Sequence, residues 1–254
     1  MRPYVLSETT WKQVQATKYS VALLPWGATE AHNYHLPYGT DVYETDAVAI
    51  ESARIAWEKG AKVVALPAIP FGVQTGQQDI DFCINMNPST QAAVLQDVVA
   101  TLEARETKAL VVINGHGGND FKQMIRELQP SVKMLLVTVN WWQVADTKMF
   151  VEPGDHGGEL ETSVMQHIAP TLVRPLSEAG AGKERKPNIA GLRDRWAWTP
   201  RPWSRVSEDT GIGDPKAATA EKGKAYFAGV TEKIASLIVE LDQVDLSILY
   251  ESGR

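Results

Sequence analysis

The sequence predicts an α/β fold with a mostly parallel central sheet and helices on both faces. Two observations lead there. Short apolar runs alternate with amphipathic stretches along the chain, the signature of repeated strand–helix–strand units. Clusters of His, Asp and Glu then follow strand candidates, and in open α/β sheets ligands sit at the carboxyl ends of the strands.

The first strand candidate is residues 21–25 (VALLP). Apolar spacing turns helical over 45–57, and Gly60 supplies a stop signal. Residues 62–69 (KVVALPAI) read as a second strand. Residues 89–104 form a helical pattern with Leu95, Val98, Val99 and Leu102 on one face. A third strand (LVVI, 110–113), a short helix (121–128) and a fourth strand (MLLVTV, 134–139) follow. Residues 159–167 read as helical. A long amphipathic helix over 215–241 closes the pattern, with a bend expected near Gly223 or Gly229. The segment 177–213 departs from this rhythm. It is rich in Pro, Arg and Trp, with Trp196, Trp198 and Trp203 close together, and is expected to be an ordered excursion that covers a pocket or meets another subunit. The whole chain, 1–254, reads as one domain. The loops after residues 25, 69, 113 and 139 are expected to open on one edge of the sheet.

Hydrophobic residues make up 44% and charged residues 22% of the 254 residues, enough to bury a sizeable core. The net charge of −6 and a pI near 5.4 give no basic patch for nucleic acid. A single cysteine excludes an intrachain disulfide. No apolar run is long enough for a membrane span, and the start of the chain lacks an apolar signal core, so a cytoplasmic location is expected.

There are five histidines, and all but His167 fall in three polar clusters. The first holds Glu30, His32, His35 and Asp41. The second is Asn114-Gly-His116-Gly-Gly-Asn119, in a Gly-rich turn between strand and helix. The third runs from Asp155 and His156 to Glu161 and Ser163. Imidazole and carboxylate are donors for divalent transition metals. Glu30 and His32, two apart, would point the same way in an extended segment. Asp41 has two oxygens and can bridge two ions. A lone histidine is more often packed or exposed than a ligand, and the Gly-rich turn can instead cradle a phosphate, although it matches neither nucleotide-binding pattern. Spacing alone therefore leaves open a metal site, a nucleotide site and a purely structural role.

The stretch LLPWGATEAHNYHLPYGTD (23–41) resembles the signature of the creatininase (creatinine amidohydrolase) family. VVINGHGGN (111–119) and HGGELETS (156–163) are similar to that family's second and third motifs, in the same order, and GIGDPKAATAEKG (211–223) to its C-terminal segment. The resemblance implies a three-layer α/β/α sandwich, hexameric assembly, and one or two divalent ions (Zn, Mn or Fe) held by Glu30, His32, Asp41 and His116. It implies that His156 is catalytic; Asp155, the adjacent carboxylate, is the candidate to orient it or raise its pKa, although adjacent residues in an extended chain face apart. Two departures stand out. The family's glutamate ligand two positions after the histidine of the second motif is Gly118 here, and Glu161 is the candidate replacement; as a carboxylate in the first turn of a helix, Glu161 is equally accounted for by the helix dipole. The usual glycine after the first ligand histidine is Asn33, followed by Tyr34. These two, with Trp141 and Trp142 just past the fourth strand, are candidate substrate contacts. The wording of residues 74–87 also departs from the family.

The function expected is metal-dependent hydrolysis of a C–N bond in a small cyclic amide or formamide. In that chemistry the metal makes hydroxide available near neutral pH, and His156 passes a proton to the leaving nitrogen. The alternative is a non-catalytic metal- or nucleotide-binding protein that kept the fold.

Overall fold

The computed structural model describes residues 1–152 and 154–250. Among them, helix α1 (Trp11–Ala16) precedes β1 (Val21–Trp26), α2 (Thr40–Glu58), β2 (Val63–Ala65), α3 (Pro88–Glu103) and β3 (Ala109–Asn114). Next come α4 (Phe121–Leu128), β4 (Leu135–Asn140), α5 (Glu159–Ile168), the short α6 (Ala190–Arg193) and α7 (Trp203–Val206), and α8 (Ala220–Gln243). The four strands form one parallel sheet in the order β2-β1-β3-β4.

Successive strand residues feed opposite faces. Val21 and Leu23 of β1, with Val111 and Ile113 of β3, pack with α2, α5 and α8. Ala22, Leu24 and Trp26, with Leu110 and Val112, pack with α3 and α4. β1 and β3 are buried at every position, which is why they read as continuous apolar runs. The result is an α/β/α sandwich. The β2 edge is covered by the start of the chain: the Ala65 N–H donates to the Tyr4 carbonyl at 2.8 Å.

Three elements differ from the sequence reading. β2 ends at Ala65 because Pro67 has no N–H for the ladder; pairing returns only as a bridge between Trp26 and Ile69. Helix α2 begins at Thr40, earlier than its apolar periodicity, because its first turns bury polar residues: Thr40, Asp41, Glu44 and Thr45. Helix α8 runs unbroken from Ala220 to Gln243. Gly223 serves close packing there: a Cβ on it would lie 1.8 Å from the Ser163 carbonyl oxygen of α5.

The chain leaves β1 for β2 on one side, then returns past β1 to β3 on the other. The loops after β1 and β3 therefore diverge, and the crevice between them is the topological switch point where α/β sheets bind ligands. All strands being parallel, the four following loops share that edge.

Candidate metal centre

The loop after β1 carries Glu30 and His32 into the switch-point crevice, and Asp41 enters from the first turn of α2. His116 comes from the turn after β3. That turn is wrapped by its flanking asparagines: Asn114 Oδ1 accepts from the His116 N–H at 3.1 Å, and Asn119 Nδ2 donates to the same oxygen at 3.0 Å. His156 and Glu161 arrive after β4. The excursion returns at Ile212 to pair with His156 in an antiparallel bridge, which fixes the histidine backbone.

The geometry of the two inner histidines is the central observation. His32 Nδ1 lies 3.2 Å from the Glu30 backbone carbonyl, and His116 Nε2 lies 2.9 Å from that of Val73. Carbonyls only accept, so each of these nitrogens carries the proton. The opposite nitrogens face carboxylates: His32 Nε2 is 2.8 Å from Asp41 Oδ1, and His116 Nδ1 is 2.7 Å from Glu30 Oε1 and 3.2 Å from Asp41 Oδ2. Glu161 Oε1 sits 4.0 Å from His32 Nε2. Two ring nitrogens aimed at carboxylate oxygens need a cation between them, either a proton or a metal ion.

The electrostatics express the same frustration. Burial alone would lower the His32 pKa, but Asp41, Glu30 and Glu161 outweigh it and raise it to about 10. His116 is likewise raised against its burial by Glu30 and Asp41. Burial would raise Asp41, yet the two histidines hold it below the usual carboxylate range. Glu161 is pushed up to about 7 by burial and by Asp41 and Glu30. His32 Nε2 and Asp41 Oδ2 are buried without a hydrogen-bond partner. The donor set fits divalent ions: Glu30, Asp41 and His116 form one triad, and His32, Asp41 and Glu161 a second, with Asp41 common to both. A third grouping joins Glu30 and His32 to His156.

His156 donates from Nε2 to the Ala31 carbonyl at 2.8 Å, leaving Nδ1 unprotonated, 3.9 Å from Glu30 Oε1. Burial and the nearby His32 charge lower its pKa, so the ring is neutral at pH 7. Its faces are covered by His32 (ring centroids 4.1 Å apart) and Trp203 (4.6 Å).

Several expected site residues are placed differently from the expectation, Asp155 among them although it lines the cavity over the cluster. Asp155 faces away from His156 and pairs with Arg201 at 3.0 Å; adjacent residues in an extended segment point apart. Asn33 takes a left-handed backbone (φ 55°), the conformation asparagine tolerates best after glycine. Its side chain clasps Gly180 through both amide ends, at 2.7 and 3.1 Å, and so ties the excursion to the β1 loop. Tyr34 is 60% exposed and reaches the Glu208 carbonyl. Trp141 is buried core, packed on Tyr226. Neither Asn33, Tyr34 nor Trp141 lines the cavity over the cluster; Trp142 does. That cavity, about 510 Å³, has Glu30, Asp41, His116, His156 and Glu161 in its lining, with Trp198, Arg201 and Trp203 from the excursion. Trp203 is buried, whereas Trp196 and Trp198 are 79% and 85% exposed, so the excursion is less covered than its composition predicts.

Gly118 has no room for a longer residue. A Cβ there would lie 2.1 Å from the Val73 oxygen and 2.5 Å from His116 Nε2. Two buried residues went unnoticed in the sequence. Glu44 is fully enclosed with neither carboxyl oxygen bonded, and burial together with Glu161 and Asp41 raises its pKa strongly. Gln77 donates to Glu30 Oε2. Neither belongs to a histidine-containing motif, so no spacing signal marked them.

The creatininase family model, described as creatinine amidohydrolase, matches residues 7–238. The chain belongs to the creatininase family. A provisionally named creatinine amidohydrolase from Bacteroides fragilis NCTC 9343, solved by crystallography, is 42% identical with a TM-score of 0.92, covering 99% of this chain and all of that one. A mycofactocin precursor peptide peptidase from Mycobacterium tuberculosis is 28% identical over 89% of this chain and 87% of its own length. The Pseudomonas putida creatinine amidohydrolase is 26% identical over 92% and 96%. Solved creatininases in zinc and manganese forms share the fold of this creatininase-family chain at TM-scores of 0.77. No described helix is long and apolar enough to cross a membrane.

Proposed function

We propose that this chain is a metal-dependent hydrolase that cleaves a C–N bond in a small cyclic amide or formamide. The observation that carries the reading is the pair of inner histidines, each anchored by one ring nitrogen on a backbone carbonyl while the other faces carboxylates. A backbone carbonyl that accepts a hydrogen bond from one ring nitrogen fixes the tautomer and orientation of a metal-binding imidazole. Glu30, Asp41 and His116 would hold one ion, and His32, Asp41 and Glu161 another. Glu161 then serves where Gly118 cannot. A divalent ion held there would lower the pKa of water and polarise an amide carbonyl.

The remaining work falls to side chains. His156, neutral and with its Nδ1 lone pair facing the cluster, takes a proton from water and returns it to the leaving nitrogen. The Ala31 carbonyl holds its tautomer and Trp203 limits its movement. Trp142, Trp198 and Trp203 offer flat apolar surface for a planar substrate. A second reading, cleavage of a peptide amide, is favoured by the names of several relatives and by a cavity of about 510 Å³, roomy for a single small ring. A non-catalytic metal- or nucleotide-binding protein is the remaining alternative. We also propose a homo-oligomer, with a hexamer favoured by the family resemblance; the exposed Trp196 and Trp198 support an assembly that covers them.

The test is metal content of protein purified without added metal, followed by a hydrolysis screen. Creatinine, cyclic ureides, formamides and short peptides would be offered with Zn, Mn and Fe in turn. Turnover of a cyclic amide or formamide is expected. Cleavage of peptides alone would favour the second reading, metal without turnover of any substrate would favour the binding protein, and protein that takes up no metal would remove the hydrolase reading.

A further inference from the structure

Resting on the metal reading above, we propose that Gln77 is a positioning residue that selects which oxygen of Glu30 is presented to the metal, and that Cys83 holds it in place. Gln77 lies in the loop after β2, between two turns closed by Gln77 N–H to the Gln74 carbonyl and Ile80 N–H to the Gln77 carbonyl. The neighbouring Gln78 is exposed, yet Gln77 is 2% exposed. A glutamine is rarely buried this deeply without a task for both ends of its amide.

Both ends are used. Gln77 Nε2 donates to Glu30 Oε2. Gln77 Oε1 accepts from the Cys83 thiol at 3.2 Å, and Cys83 Sγ accepts from the Ala31 N–H at 3.3 Å. Ala31 follows Glu30, so the bonds close a ring: Glu30 side chain, Gln77, Cys83, Ala31 backbone. The ring fixes the amide orientation, because an ionised carboxylate only accepts. Burial raises the Cys83 pKa, which keeps the sulfur a thiol able to donate.

The consequence falls on Glu30. With Oε2 occupied by the amide, Oε1 alone faces the imidazoles: 2.7 Å from His116 Nδ1 and 3.9 Å from both His32 Nε2 and His156 Nδ1. Glu30 is thereby set up as a one-oxygen ligand. Removing a hydrogen-bonding partner of a ligand typically weakens metal binding by about 10–100-fold.

The test measures affinity for Zn and Mn by chelator competition on the intact chain, beside the thermal midpoint of the metal-free form. Gln77→Met keeps length and apolar bulk and removes the amide. It is expected to bind metal about 10–100-fold more weakly than wild type. Cys83→Ala is expected to shift affinity the same way, and Cys83→Ser, which keeps a donor, to restore most of it. A merely structural role would lower the thermal midpoint and leave affinity unchanged. Wild-type affinity in folded Gln77→Met overturns the proposal. Should that variant fail to fold, wild-type affinity in Cys83→Ala overturns it instead. Wild-type protein that binds no metal removes the hydrolase reading and this one together, whereas unchanged affinity in these variants of a metal-binding wild type removes only this one.

Discussion

Each oxygen of Asp41 faces a different histidine, so its removal should disturb the whole cluster. Asp41→Ala is expected to lower metal content and activity together. It should also lower the thermal midpoint of metal-supplied protein, since ions that bind only the folded state stabilise it by mass action. His156→Ala is expected to keep its metal while turnover falls about 10²–10⁴-fold. Metal stoichiometry measured beside rate checks both; loss of metal in His156→Ala would place His156 among the ligands, as its grouping with Glu30 and His32 permits. His35 gives a pH dependence. It is buried beside Thr162, and burial with the nearby His32 charge lowers its pKa to about 4. Above pH 6.5 it is neutral in both folded and unfolded chains. Between pH 6.5 and 4 the unfolded chain takes up a proton that the folded one refuses, so stability falls with pH, by an amount on the order of 3 kcal/mol. Denaturant midpoints of the chelated protein from pH 8 to 4 should show this loss, and His35→Gln should flatten it.

At the scale of elements, close approach decides two glycines. Gly223 lets α8 press on α5. Gly223→Ala improves helix propensity slightly, but the added methyl must displace the Ser163 carbonyl. A net loss of about 1–3 kcal/mol is expected in urea unfolding. Gly118 lets the β3 turn fit beneath Val73. Gly118→Glu, which writes the family's usual ligand into this chain, is therefore expected to displace His116 and reduce metal content; a gain in metal affinity would show that the turn can move aside. The first turns of α2 illustrate the opposite compromise. Asp41, Glu44 and Thr45 face inward at positions that a simple amphipathic helix would fill with apolar residues.

For the molecule as a whole, the strand order places every cluster residue at the crevice between β1 and β3. The excursion roofs that crevice through Trp203, whose N–H donates to the Gly76 carbonyl at 2.9 Å, so the loop after β2 and the excursion are fastened together. Trp196 and Trp198, left exposed in the single chain, are expected to be covered in an oligomer. Light scattering at micromolar concentration should give an oligomeric mass, and replacing both by Ser should lower it. A monomeric mass for the wild type would leave Trp198 as a residue of the pocket lining only and Trp196 as a solvent-exposed side chain.

Local patterns made much of this legible. Apolar runs at 21–25 and 110–113 could be little but buried strands, because a sheet covered on both faces needs apolar residues at every position. Their alternation with helical periodicity fixed the layer order. Histidines and carboxylates in Gly-rich loops after those strands marked the site, since so many metal-type donors in loops need a common partner. What the sequence could not decide was direction and distance. That Asp155 turns to Arg201, that Asn33 is a clasp and Trp141 core, and that Gln77 reaches Glu30 across 47 positions all depend on how separate loops meet. Such contacts leave no periodicity along the chain, because each is set by the packing of loops brought together only when the sheet forms.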